Sequence, residues 1–332
     1  MTGSANLVLP PSLLHLVNQP DRGFLAFNAF SDKFQFRYMI NDPDVWHNVL
    51  QFEVIRRKFS RQERIVPLAS YTAEELQFAF HGVWGDDLQW SDLNGCDTSG
   101  RIIAQERIQI WRERKGENDE PTDFLEWFIA KCAATGPEQM DPKKIALRLL
   151  HLATPFIFAM GSIFAQCCQR VSSKQNGFPT KASVDELFRV DSALRESMRL
   201  SDVSVTALPR DVVSAAGLSL GNGITMSKGT RCVFPTQPIH LNEEYYMNPN
   251  RYDAFRFSRP SEGSGNEKPT EERQLATSIT ESLLAFGYGR HACRGHFFAS
   301  QTLKQALAHM LLNYDVEMTP TPPAWQCHDT AN

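Results

Sequence analysis

Phe286-Gly-Tyr-Gly-Arg-His-Ala-Cys293-Arg-Gly-His-Phe-Phe-Ala299 is the least ordinary segment of the chain. Three glycines, at 287, 289 and 295, surround one cysteine, and an apolar run resumes at Phe297. Gly287, Gly289 and Ala292 fit the G-x-G-x-x-A dinucleotide fingerprint. That fingerprint needs a strand before it, a helix after it and an acidic residue about 20 positions on, near the start of a nucleotide domain. Here it stands close to the end of the chain with no second strand following. A zinc site is a second reading, with His291, Cys293 and His296 as ligands. Structural zinc takes four, and the fourth would come from Cys327 or His328.

A third reading uses every residue type in the segment. A cysteine just before a helix faces unpaired backbone N–H groups and the positive end of the helix dipole, and both favour thiolate. Glycines let the loop press against a flat cofactor. Phe286 can pack beside the sulfur, and His291 can reach an acidic edge. Thiolate ligation of a porphyrin iron pushes electron density toward O–O cleavage.

The rest of the chain is ordinary globular material. Its 332 residues carry 34 basic and 38 acidic side chains, a net charge of −4, with 42% apolar and 22% charged residues. That supports a sizeable core and excludes disordered, collagen-like and disulfide-knot classes. The slight acidity argues against a nucleic-acid partner. Leu152 to Ala165, interrupted by Pro155, falls short of the ~20 apolar residues of a bilayer span. The start, broken by Pro10 and Pro11, makes a poor signal peptide. Seven scattered cysteines without a C-x-x-C pair suit a reduced, intracellular protein.

Periodicity predicts helices over Asp44–Phe59, Tyr71–Trp84 (capped by Thr72), Arg101–Arg114, Phe124–Ala133 (capped by Asp123), Lys143 to about Val171 (opened by Asp141-Pro142), Val184–Leu200 and Gln301–Tyr314. Asn222-Gly223 marks a hairpin over 218–225, and a strand follows in SKGTRCVFP. Phe24, Phe27, Phe30, Phe34 and Phe36 read as core packing. The fold class is mainly α with a minor β region.

The signature F-x-x-G-x-[RH]-x-C-x-G is met at Phe286, Gly289, His291, Cys293 and Gly295, and here the sequence resembles the cytochrome P450 family. The family's E-x-x-R motif is matched at Glu196 and Arg199, which share a helix face at i, i+3. Its F-x-x-F-R-F loop is matched by Tyr252-Asp-Ala-Phe-Arg256-Phe257, in the family's order. DSALRESMRL, HACRGHFFA and LLNYDVEM are similar to filamentous-fungal members of secondary metabolism. The resemblance covers about 24–316 of a single 1–332 domain, leaving 1–23 and 317–332 as poorly defined tails.

This resemblance implies a haem-thiolate fold, with haem b bound through the Cys293 thiolate and a cofactor site of Cys293, Phe286, Gly287, Gly289, His291, Gly295 and Arg210. It makes Glu196, Arg199 and Arg256 a structural network, and Arg210 and His291 partners of a haem propionate. It implies monooxygenase activity on a small apolar terpenoid- or polyketide-like substrate. Electrons would come from NADPH–cytochrome P450 reductase, and association with the endoplasmic reticulum is implied without a transmembrane segment of its own. Several departures stand beside it. The place of the oxygen-groove acid and threonine falls in ATPFIFAMGS (153–162), which offers Pro155 to Met160 instead. Arg294 stands where the family often has proline, and His296 replaces a common arginine. An N-terminal anchor, segments after Trp90 and Val171, and the last strand pair are expected to be missing. These departures keep a catalytically silent or incomplete member as the alternative.

Overall fold

In the computed structural model, Asp141 and Pro142 open the longest helix of the protein as their sequence requires. The Asp141 carboxylate accepts the Lys143 N–H at 3.0 Å and Pro142 takes the first helical position. The structure describes residues 6–25, 40, 42–47, 49–65, 68–86, 89–93, 98–99, 101–102, 124–172, 187–201, 205–221, 223–262 and 274–316. The helices are α1 (Pro43–His47), α2 (Leu50–Lys58), α3 (Gln62–Ile65), α4 (Ala69–Trp84), α5 (Phe124–Thr135), α6 (Pro142–Ser172), α7 (Leu187–Arg199), α8 (Thr236–His240), α9 (Arg259–Glu262) and α10 (His296–Asn313). The strands are β1 (Leu7–Val8), β2 (Phe24–Leu25), β3 (Thr206–Val212), β4 (Leu218–Gly221), β5 (Ile224–Met226) and β6 (Arg231–Pro235). The protein is thus mainly helical with a minor β part.

Helices α4, α6, α7 and α10 bury one apolar core, with Leu76 and Phe80 against Phe164, Leu194, Leu303 and Leu307. Burying a large side chain of this kind contributes roughly 1.5–3 kcal/mol. A second core lies on the sheet, whose order is β1-β6-β3-β2, and gathers Leu16, Val17, Phe24, Phe234 and Leu284. The cysteine segment joins the two. Phe286 packs on the helical core, while Leu284 and Tyr288 pack on the sheet core. α7 is buried on every side from Val190 to Arg199 despite its charges.

Several elements depart from the sequence expectation. The helix expected over Asp44–Phe59 is divided into α1 and α2. Asp42 caps α1 by accepting the Asp44 N–H at 3.0 Å, and Val49, with ψ of 50°, precedes α2. Thr72 is not a cap. It lies inside α4 and donates its hydroxyl to the Leu68 carbonyl, the back-bonding of a mid-helix threonine. α10 starts at His296 rather than Gln301, because no cap signal in the sequence marks its entry from Gly295. α6, by contrast, runs through Pro155 from Pro142 to Ser172, as expected. Residues 6–23, expected within a poorly defined tail, supply β1, which pairs in parallel with β6, and a tight 3-10 turn over Pro11–Asn18. The helix expected over Arg101–Arg114 lies outside the described residues beyond 102, as do Asp123, Asn222, Phe27, Phe30, Phe34 and Phe36. Among the described residues no helix is long and apolar enough to cross a membrane.

Candidate functional site

Cys293 sits three residues before α10, in a loop closed on itself. Its N–H donates to the Phe286 carbonyl at 2.8 Å, the Gly287 N–H to Leu284 O at 2.8 Å, and the Ala292 N–H to Gly289 O at 3.1 Å. His296 Nδ1 is 2.6 Å from the Cys293 carbonyl. The thiol is accessible on one side, while the protein packed round its other sides desolvates it and raises its pKa above the ordinary value. The Gly295 N–H and the Arg294 charge oppose that shift. Both favour the thiolate, so a metal cation facing the sulfur would complete what they begin.

The two glycines before the cysteine do different things. Gly287 has φ +77°, and a Cβ there would lie 3.5 Å from Leu208 and from the Ala292 backbone. Gly289, expected against the cofactor, has φ +68° and makes room for the N-terminal turn. A Cβ would stand 2.2 Å from Asn18 Oδ1, which accepts the Arg290 N–H at 3.2 Å. Nothing lies within 4 Å of a Cβ at Gly295.

Arg210 comes from β3 at a bulge, where register shifts between Ala207 and Arg210 and Leu208 takes φ 56°. It is 3% exposed. Its Nη1 donates to the Pro209 carbonyl at 3.0 Å, while Nε and Nη2 are buried with no partner. Desolvation lowers its pKa to about 10, against the raising influence of Asp21. His291, expected at the same edge as Arg210, is engaged through Nε2 by Asp21 Oδ1 at 2.6 Å and feels the Arg210 charge. Among the described residues no cluster of three or more His, Cys, Asp or Glu is placed to hold a metal ion. The zinc reading thus finds no ligand cluster among the described residues.

A haem fits this arrangement. A thiol before a helix, an open face at Gly295, and a buried guanidinium with two unused donors beside the loop are what its iron and a propionate need. The same argument gives a prediction of opposite signs. Arg210→Met removes two orphaned donors and should stabilise the haem-free chain by about 1–3 kcal/mol. The same change should weaken haem binding at least about tenfold. Thermal melts with and without haem check this, and a haem-free melt that falls would contradict it.

Glu196, Arg199 and Arg256 meet in one ion-pair cluster. Arg199 donates Nε to Glu196 Oε2 at 2.7 Å and Nη2 to Oε1 at 2.8 Å, and Arg256 Nε lies 3.1 Å from both oxygens. Arg256 also donates to the Met247 carbonyl at 2.7 Å. Glu196 and Arg199 side chains are 0% exposed. Two residues that sequence reasoning missed serve this network. Arg195 donates to the Leu275 and Ser278 carbonyls at 2.9 and 2.6 Å. His240 bonds Arg199 and Leu284.

Burial lowers the pKa of His240 to about 4, and that of His151 likewise to about 4. The unfolded chain takes up these protons near 6.5. Stability is therefore intact above about pH 6.5 and falls as pH drops toward 4, by ~3 kcal/mol for each histidine. Melting temperature followed from pH 7 to about 4.5 should decline, and His240→Gln should flatten part of the slope.

Residues 167–330 match the family model "Cytochrome P450". A cytochrome P450 monooxygenase of Glarea lozoyensis, gloP, is 32% identical over 66% of this chain and 46% of its own length. One of Aspergillus rugulosus, htyF, is 34% identical over 70% of this chain and 38% of its own. The chain thus spans less than half the length of these curated relatives. The solved cytochrome P450 TxtC superposes with a TM-score of 0.59 at 15% identity, over 93% of this chain and 87% of that one. A zebra fish cytochrome P450 with abiraterone gives 0.56 at 16% identity, over 81% and 74%. Such identities speak for the fold alone. By fold, loop and sequence together the chain belongs to the cytochrome P450 family, and the curated relatives above are fungal. That family implies a haem-thiolate cofactor.

Proposed function

We propose that this chain is the haem-binding portion of a haem-thiolate monooxygenase, with haem b held by the Cys293 thiolate and a propionate held by Arg210. The observation that carries this reading is the placement of Cys293 before α10, in a loop whose His291 feels the charge of a buried Arg210 with two unused donors. The overall reaction would convert a substrate C–H, O2, NADPH and H⁺ into C–OH, H2O and NADP⁺. NADPH–cytochrome P450 reductase would pass the two electrons, and its membrane, the endoplasmic reticulum, is the proposed location. The proposed substrate is small and apolar, terpenoid- or polyketide-like, as the fungal resemblance implies.

Thiolate-ligated haem supplies an electron-rich iron at which the O–O bond is cleaved. The chain's own residues do the rest. The Gly295 N–H and the Arg294 charge hold the sulfur toward thiolate. Phe286, packed on the helical core and with its ring 5.8 Å from that of His296, ties the start of the loop to that core. Glu196 and its arginines fix the backbone from which the loop springs. The test is spectroscopic: the haem-loaded chain should show the red-shifted Soret band of a thiolate-ligated carbonyl adduct on reduction. Its absence would refute the assignment.

A second reading is a catalytically silent member, favoured by the residues of 153–162. Ala153 to Ser162 holds no acid, and Thr154 is its only threonine. Proton delivery by such groups contributes about 10²–10⁴-fold. NADPH-dependent product with reductase present supports the monooxygenase. Turnover with peroxide alone points to a bypassed proton relay, and no product under either condition supports the silent reading.

A further inference from the structure

We propose that His240 is the positioning residue that carries the Glu196–Arg199 network to the thiolate loop, as a neutral imidazole donating through Nδ1 and accepting through Nε2. The relevance to thiolate ligation rests on the function proposed above. The hydrogen-bond geometry does not.

Arg199 and His240 are bound reciprocally. Arg199 Nη1 donates to the His240 carbonyl at 2.7 Å, and His240 Nδ1 lies 3.1 Å from the Arg199 carbonyl. A carbonyl can only accept, so Nδ1 carries the hydrogen. On the far side of the ring the Leu284 N–H points at Nε2 from 2.8 Å. A backbone N–H can only donate, so Nε2 is bare. Both assignments follow from the partners, and they agree on one tautomer. His240 is 3% exposed, and the cations Arg195 and Arg199 of α7 both act against its protonation.

The bond to Leu284 is the last anchor before the loop. Upstream, Arg195 holds Leu275 and Ser278, and the Tyr246 hydroxyl donates to the Ser282 carbonyl at 3.0 Å. Downstream, Leu284 O accepts from Gly287 and Phe286 O accepts from Cys293, both at 2.8 Å. Hydrogen bonds thus run from Glu196 through Arg199, His240 and Leu284 to Gly287, whose neighbour Phe286 binds Cys293. Without the acceptor at Nε2, a buried N–H at the root of the loop would be orphaned, a penalty that a turn beside solvent relieves by opening.

Two near-isosteric variants separate the two arms. In His240→Gln the amide reaches the Nε2 position and offers its oxygen to Leu284. In His240→Asn the amide reaches only the Nδ1 position, which keeps the Arg199 bond and leaves the Leu284 N–H bare. In the haem-free full chain, amide exchange at Leu284 should match wild type in H240Q and be roughly tenfold faster in H240N. In the haem-loaded chain, H240N should lose the thiolate signature roughly tenfold faster than H240Q. Equal Leu284 exchange in the two variants would overturn the proposal. Should H240N not fold, wild type and H240Q decide it: Leu284 must exchange more slowly than Ser282 in both, and equal rates overturn it. Failure of haem to bind would count against the proposed function while leaving the exchange result to judge His240.

Discussion

Glu196→Ala is expected to leave a chain that no longer folds stably enough to take up haem. The Glu196 carboxylate accepts from Arg199 Nε and Nη2, from Arg256 Nε and from the Asp253 N–H, all within 3.1 Å. It is fully buried, and so is Arg199. Removing one partner of a buried ion pair costs about 3–5 kcal/mol, because the surviving charge stays in a low-dielectric interior. Against a total stability of roughly 5–15 kcal/mol this is a large share. The melting temperature should drop by about 4–7 °C. The double variant E196M/R199M should lose less than E196A, since it leaves no fully buried cation facing an absent carboxylate. Calorimetry of the three proteins checks this, and a melt of E196A within a degree or two of wild type would refute it.

Cys293→Ala should abolish the red-shifted Soret band of the reduced carbonyl adduct altogether. Its effect on folding should be slight, within about 1 kcal/mol. The thiol is accessible on one side, and without iron it is held protonated by desolvation, so its loss removes neither a charge nor a core contact. This pairing of a small stability change with complete loss of a spectral signature distinguishes a ligand from a structural cysteine. Loss of the fold together with the band would indicate a structural role instead. Retention of the band in the variant would mean that another residue ligates the iron.

The two variants act on parts of the site that were unequally legible. Cys293 stood out because glycines, an aromatic and a helix start surround it in one short run. The Glu196/Arg199 pair was legible from its i, i+3 spacing, although spacing alone could not tell a buried pair from a solvated one. α7 shows why: its sequence is charged, yet tertiary packing buries it from Val190 to Arg199. Arg256 entered only through resemblance. His240 was missed because a lone histidine in TQPIH carries no periodic or motif signal. Its apolar setting was the available hint. Asp21 and Asn18 could not be found at all, since they meet His291 and Arg290 across about 270 residues. For the same reason the room that Gly289 leaves for Asn18 could not be read from the sequence. Helix existence was read well and helix ends poorly, as at Thr72 and His296, where local hydroxyl bonding and an uncapped entry override the pattern.

The pairing of Leu7–Val8 with β6, and of Asn18 with the cysteine segment, sets an order of events during synthesis. These residues leave the ribosome well before their partners at 232–233 and 289–290. At roughly 5–20 residues per second, the leading segment waits on the order of tens of seconds with Leu14, Leu16 and Val17 uncovered. A chaperone that covers this segment during translation should therefore raise the yield of this protein.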